Sequence, residues 1–553
     1  MKPHRLTGFG PPPWQLYREE VIMLKLQKKS ISWAIESLNK HHDTYIFPYP
    51  FEFLAINENQ DDVINYIRDT DIYTIGIRSY RNALTPKSIL SFRIATQLDP
   101  IDSIITHSIL YEIYNEIEAV RIPKNQNIVY SFRLNPQPGG SIYDPLYTWP
   151  SFLEKAFDIL NNEDYPFVLI TDISDFFPSI YLHNIETTLF EAVKKSGKSV
   201  HAQVLINYLK AMHLMQTHKG IPIGPHFSRP IAELILDSVD RQLINENIKF
   251  IRFLDDYIAF FKSESEAHKA LAFLAQTLYD TRNLKLNGQK TEILPKELFI
   301  NKYLKKHKDT EKKILIDSFY NLLDKLGIDT NPYEDIDIDD LDEEQKEKLK
   351  SINLEKILKD EISKDGKTID YGLMNFLLWN LAKIDNTNIS NIILEEKNLR
   401  KLFPKLRSII SYLERVRSFS TIQKKEVGDK VISLLGCSYV ENLPFSQMWL
   451  LNLFSNSKEW DNEDKFDSIL SKYKDKLIIR ELYLSLGRSQ NIKFFRENKC
   501  MDLNMDSWLR RAFIAGISCL PKSERDPWFK ARSLTNRDFL DQIVEKWAMK
   551  NPF

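Results

Sequence analysis

Two adjacent aspartates, Asp255 and Asp256, interrupt an otherwise apolar and aromatic run, FLDDYIAF, at residues 253–260. Carboxylates are among the side chains least often buried, and two side by side repel each other. A β-hairpin reconciles these facts. Its apolar flanks bury in a sheet, and its turn thrusts both carboxylates into a cleft. A divalent cation there would relieve the repulsion, because hard Mg²⁺ favours carboxylate oxygen.

A second site of the same kind precedes it, in TDISDFFPSIY. Asp172 follows the β-rich run FVLIT and is succeeded by Asp175, Phe176 and Phe177. Two strand-end carboxylate sites in one sheet are what a two-metal phosphoryl-transfer centre requires. Between them lies KGIPIGPHFSRPIAEL, where Gly220, Pro222 and Gly224 make a stiff loop of little bulk that leads into a helix. Such a backbone can approach a base and sugar closely. Downstream, LKLNGQKTEIL sets Lys290 after a turn, where a cation can face a triphosphate.

The rest of the chain sets the frame. At 553 residues it is too long for one core, so two or three domains are expected. Its 43% hydrophobic and 27% charged residues describe a globular protein, and a net charge of −1 restricts any basic groove to a local patch. Cys437, Cys500 and Cys519 have no metal-like spacing, which fits a reducing compartment. The start shows no apolar segment of the signal-peptide type, and no stretch approaches about 18 uninterrupted apolar residues. The expectation is a cytoplasmic protein without membrane spans.

Helices are expected near 15–40, over IDSIITHSILYEIYNEIEAVR, and at 228–246 and 264–283. Extended chain is expected around IFPYPFEFLA (46–55), and strands within 72–134, in FVLIT and in the hairpin IKFIRFLDDYIAFFK. This mixture without strict alternation reads as α+β. After about residue 300 strand signals vanish, so an all-α C-terminal region is expected. A helical repeat there is left open, because no fixed period is visible. The reading divides the chain into an N-terminal extension (1–70), a fingers-and-palm unit (71–300) and a helical domain (301–553). The acidic stretch DIDIDDLDEEQK imitates a calcium loop. However, it has Asp340 where that loop needs Gly and Lys346 where it needs Glu, so it reads as solvated. Ten of the eleven histidines precede residue 301, leaving His307 alone in the helical domain, so that region supplies no histidine–metal site of its own.

In order and spacing, these motifs resemble the palm of reverse transcriptases. Asp172 stands in the first carboxylate motif, GIPIGPHFS in the second, the Asp255–Asp256 hairpin in the third and Asn287 to Lys290 in the fourth. GIPIG with SRPIAEL, QLDPIDSIITHSILYEI with EAVRIP, and the long helical C-terminal region make the chain more closely similar to defence-associated bacterial reverse transcriptases of the abortive-infection and "unknown group" type.

That resemblance implies a Mg²⁺-dependent (or Mn²⁺-dependent) DNA polymerase of fingers–palm fold, acting on deoxynucleoside triphosphates in antiphage defence. Asp172, Asp255 and Asp256 would be its catalytic, metal-binding residues. It implies Phe177 beneath the sugar, where an aromatic ring excludes a ribose 2′-hydroxyl. Lys87 and Arg93 would grip the triphosphate, with Arg93 ranked first; Arg78 and Arg81 lie in the same region, and a solvated strand face is as ready a reading of any one of the four. Some such proteins make DNA without template, attached to a tyrosine, and others copy a partner non-coding RNA; several are homo-oligomers. Tyr17, Tyr45 and Tyr49 are the N-terminal candidates for such a tyrosine. The chain departs from the common pattern in having FLDD before its hairpin turn and Ile223 where a template-positioning glutamine is usual. A non-catalytic assembly module is the alternative outside enzymology, and the paired charges in apolar surroundings stand against it.

Overall fold

A computed structural model describes residues 23–212, 218–304, 354–364, 369–501, 505–532 and 538–553. The acidic stretch near 331–350 and Tyr17 lie outside the described residues, as do residues 15–22 of the first expected helix. Of the remainder, residues 23–27 are not helical and α1 covers Lys28–His41. Where extended chain was expected at 46–55, a helix instead begins at Glu52: α2 (Glu52–Glu58) follows Pro50 and turns Phe53, Ala55 and Ile56 into the core. Burial on one helical face outweighs the aromatic strand signal there. Helix α3 covers Gln60–Asp69.

The strand-rich region resolves into one antiparallel hairpin, β1 (Arg81–Ser88) with β2 (Ser91–Gln97). Helix α4, Pro100–Val120, follows it. Asp99 caps α4 by accepting from the Ile101 N–H, and Pro100 sits at its first turn, where no donor is needed. Most of α4 is buried, as a helix passing through the centre of the molecule must be.

A four-stranded antiparallel sheet lies next to it in the order β4–β5–β3–β6. Its strands are β3 (Phe167–Asp172), β4 (Lys249–Phe253), β5 (Asp256–Phe261) and β6 (Glu292–Pro295). The predicted hairpin is thus β4–β5. Helix α5 (Trp149–Asn162) packs on β4, and the short α6 (Phe176–Ser179) follows β3. Then come α7 (Leu182–Val193), α8 (Ser199–Met212), α9 (Ser228–Asn245) and α10 (Glu264–Arg282). Helix α10 packs across β3, β5 and β6, covering one face of the sheet.

Beyond residue 300 the described residues are helical or irregular, and the fold is α+β followed by an all-α region. The helices Pro444–Asn456, Lys476–Arg488, Ser507–Ile517 and Phe539–Lys550 pack in succession, and the last rests on α2. One continuous hydrophobic cluster runs from Leu24 through α4 and α9 into these helices. At its centre Glu52 is fully buried. It accepts from Arg480 Nη2 at 2.7 Å and Arg511 Nε at 3.1 Å, while Arg511 Nη2 lies 2.8 Å from Asp99. Among the described residues, no helix is long and apolar enough to cross a membrane.

Candidate active site

Antiparallel pairing brings the carboxylates together. In the β3–β5 register Asp172 sits directly opposite Asp256, and the Ile173 N–H donates to the Asp255 carbonyl. One oxygen from each of Asp172, Asp255 and Asp256 lies within 4.8 Å of the others. Asp172 is nearly buried and the other two half-buried. Burial, and then the neighbouring carboxylates, push Asp255 up to about 7; burial and Asp172 push Asp256 up to about 6. Removal from water and like charge act in the same direction on both groups.

Two cations oppose that repulsion. Lys290 Nζ stands 2.8 Å from Asp172 Oδ2, and both Lys290 and Lys87 act to lower Asp256. Asn287 braces the same strand end: its backbone N–H donates to the Asp172 carbonyl at 2.7 Å and its Nδ2 to Oδ2 at 3.2 Å. The fourth motif is therefore built onto the first.

The turn carrying Asp255 and Asp256 rests on a buried charge network absent from the sequence expectations. Leu254 has φ +55°, an unusual conformation for a leucine. Its N–H donates to Ser131 Oγ at 2.7 Å, and its carbonyl accepts from Arg252 Nη1 at 2.8 Å. Arg252 in turn holds Asp240 at 2.5 Å and Glu233 at 3.0 Å, both on α9. Glu233 also pairs with Arg121 at 3.0 Å and accepts from Ser131 Oγ. Arg121 belongs to EAVRIP, Glu233 to SRPIAEL and Arg252 to the strand before FLDD, while Asp240 and Ser131 lie outside these motifs. A charged residue within each apolar run was the available signal.

A cleft of about 860 Å³ opens above the triad. Lys87, Arg93, Phe177, Gly224 and Lys290 line it with the three aspartates, as do Tyr45, Arg229, Lys405 and Arg407. Phe176 turns into the core and Phe177 stands edge-on to it at the cleft wall. Gly224 has φ +138°, and a Cβ there would lie 2.2 Å from the Thr96 carbonyl oxygen. Only glycine lets this loop meet β2, where the Thr96 N–H donates to the Ile223 carbonyl at 2.8 Å.

Gly220 and Pro222 are not brought to the cleft. The Gly220 N–H is spent on the Ile180 carbonyl at 2.7 Å, and the Ile221 N–H on that of Phe177 at 2.9 Å. This end of the loop supports Phe177 from behind. Arg78 and Arg81 are not on a solvated face. Arg78 pairs with Asp102 at 3.0 Å, and Arg81 is buried against the Trp508 ring at 4.1 Å. Tyr49 is half-buried and donates to Asn39 Oδ1 at 2.8 Å, with its hydroxyl pushed up by burial.

Residues 104–309 match the family model described as reverse transcriptase (RNA-dependent DNA polymerase). No curated protein matches the sequence. Among solved structures, telomerase from Candida albicans in complex with a fragment of telomeric RNA is similar over 77% of this chain and 71% of its own, with 10% identity and TM-score 0.31. Apo telomerase from Candida tropicalis is similar over 77% and 73%, with 11% identity and TM-score 0.31.

Proposed function

From a chain that carries a reverse-transcriptase domain, and so is a nucleotidyltransferase, we infer a Mg²⁺-dependent DNA polymerase that acts in antiphage defence and starts its product on a tyrosine without a template. The observation that carries the polymerase reading is the gathering of Asp172, Asp255 and Asp256 within 4.8 Å at the floor of a cleft lined by Lys87 and Arg93.

The donor set fits a hard divalent cation. All three groups offer carboxylate oxygen, and their burial and mutual repulsion favour a cation among them. Asp172, Asp255 and Asp256 would hold Mg²⁺, which when bound supplies charge neutralisation for phosphoryl transfer. Lys87 and Arg93 bind the triphosphate oxygens of the incoming nucleotide. Lys290 holds positive charge beside Asp172. Phe177 fills the space under the sugar and so selects deoxyribose.

Ile223 presents an apolar side chain at the cleft and has no amide with which to orient a template base. This supports template-independent synthesis. Tyr45 supports protein priming, since it is 40% exposed and lines the cleft, whereas Tyr49 is half-buried and hydrogen-bonded. Homo-oligomerisation and a partner RNA belong to the same reading through family resemblance.

The test combines purified protein, Mg²⁺ and labelled deoxynucleotides without template or primer, resolved on denaturing gels before and after protease. Label that migrates with the protein, shortens on digestion and is lost in Tyr45→Phe is expected. Incorporation that requires added RNA would replace this reading with RNA-templated copying. In the same assay Phe177→Ala should raise ribonucleotide use relative to deoxynucleotide use on the order of 10-fold or more, the scale of one apolar contact in a discriminating pocket. An unchanged ratio removes Phe177 from the gate.

A further inference from the structure

The cleft has a wall that none of the carboxylate motifs supplies. Pro404, Lys405, Arg407 and Ser408, at the start of the helix Leu406–Arg415, line it together with Asn375. This segment is fixed to the β1–β2 hairpin, because Phe403 stacks on Phe92 with ring centroids 6.5 Å apart. Within the wall Ser408 Oγ donates to Asn375 Oδ1 at 2.8 Å. Lys405 Nζ lies 5.4 Å from the Tyr371 ring centre, and the Arg407 guanidinium 4.8 Å from that of Tyr45.

Among the described residues, no carboxylate lies within ion-pair distance of Lys405, Arg407 or Arg93. Their strongest charged neighbours are mostly other cations, with Tyr45 and Arg415 beside Arg407. Lys405 feels Arg407 and Arg93, with Asp370 a weaker opposing influence, and Arg93 feels Arg229. Burial first, and like charge second, draws Lys405 and Arg93 below their ordinary ranges. Cations crowded into a cleft without matching counter-charge cost free energy, and an anion is the ligand that relieves it.

Two observations select the anion. The triphosphate already has cations nearer the aspartates, since Lys290 and Lys87 act on Asp256 whereas Lys405 and Arg407 do not figure there. Beside the outer cations, Phe92 lines the cleft and is 43% exposed as a residue. A flat exposed ring next to positive charge is how single strands are held without regard to sequence, bases on the ring and phosphates on the cations. The cleft, at about 860 Å³, falls in the range of small-molecule sites and suits a nucleotide with a short single strand better than a duplex.

We propose that Lys405 and Arg407, with Phe92, form a phosphodiester site for single-stranded DNA, so that the C-terminal helical segment is part of the polymerase cleft and holds the strand beyond the aspartate centre. This rests on the polymerase reading above and adds its strand-binding residues.

The test uses the full chain carrying Asp255→Ala, which prevents turnover, and a labelled twelve-nucleotide oligothymidylate followed by fluorescence anisotropy over a series of KCl concentrations. Adding Lys405→Ala and Arg407→Ala should weaken binding on the order of 10-fold and flatten the slope of log affinity against log salt by about 1.4, two single-strand phosphate contacts. The charge-preserving pair Lys405→Arg, Arg407→Lys should bind within about twofold of the parent, and no variant should melt below the parent. An unchanged slope overturns the proposal. So does a loss of Mg²⁺–dATP binding, measured with Asp255 intact, while the strand is still bound, which would assign these cations to the triphosphate. Because binding is read in a protein that cannot turn over, failure of the polymerase reading appears separately, as absent incorporation by the protein with Asp255 intact.

Discussion

Asp255→Asn and Asp172→Asn should each lower deoxynucleotide incorporation by on the order of 10³-fold or more, while the metal-free proteins melt higher than the unsubstituted chain. The first effect follows from the several kcal/mol that carboxylate-held cations contribute to phosphoryl transfer, at about 1.4 kcal/mol per factor of ten. The second follows from the geometry, because the three carboxylates crowd within 4.8 Å and an amide relieves that repulsion. Each kcal/mol relieved corresponds to about 1 °C in Tm for a chain of 553 residues. Calorimetry in EDTA beside a primer-free incorporation assay reads both. A variant that lost activity and also melted lower would instead assign the aspartate a role in holding β3 and β5 together.

Glu52→Ala should destabilise the protein by about 3–5 kcal/mol, the range for breaking a buried ion pair by removing one partner. Glu52 is the shared acceptor for Arg480 and Arg511, all three essentially without solvent contact; among the described residues Arg511 would keep its ion pair with Asp99 and the weaker influence of Asp541 and Asp538. The expected readout is a lowered urea midpoint with unchanged slope. Since α2, the N-cap of α4 and two C-terminal helices meet at this carboxylate, the loss should appear in a single transition shared by activity and helicity. A normal midpoint in Glu52→Ala would mean that water reaches the arginines and solvates them. Excision of residues 301–553 should be more damaging still, because it leaves Glu52 and Asp99 buried or exposed without their partners.

Much of the site was legible in the sequence because its chemistry is local. A charge pair inside FLDDYIAF has few structural solutions, and the β4–β5 hairpin is the one adopted. The end of β3 at Asp172, the helix α4 and the all-helical C-terminal region followed from periodicity in the same way. What failed, or went unread, depended on distant partners. IFPYPFEFLA has the composition of a strand, but a helix there buries Phe53, Ala55 and Ile56 and delivers Glu52 to Arg480 and Arg511. Arg81 read equally as a phosphate-gripping or a solvated cation and is buried instead, because Trp508, which it stacks on, lies far along the chain. Gly220 and Gly224 look alike in GIPIG, yet only the second reaches the cleft, since the first spends its N–H on Ile180. Lys405 and Arg407 carried no motif; their position in the cleft comes from packing against β1 and β2.

The network beneath Leu254 has a consequence for how such a chain can change over generations. Arg121, Glu233, Asp240 and Arg252 are encoded in separate segments, yet each neutralises another out of reach of water. Replacing any one strands its partner's charge, and the turn bearing Asp255 and Asp256 loses its footing at the same time. A lineage can therefore alter this foundation only by compensated steps taken nearly together. The visible aspartates and the hidden arginines are then inherited as one unit, although only the former line the cleft.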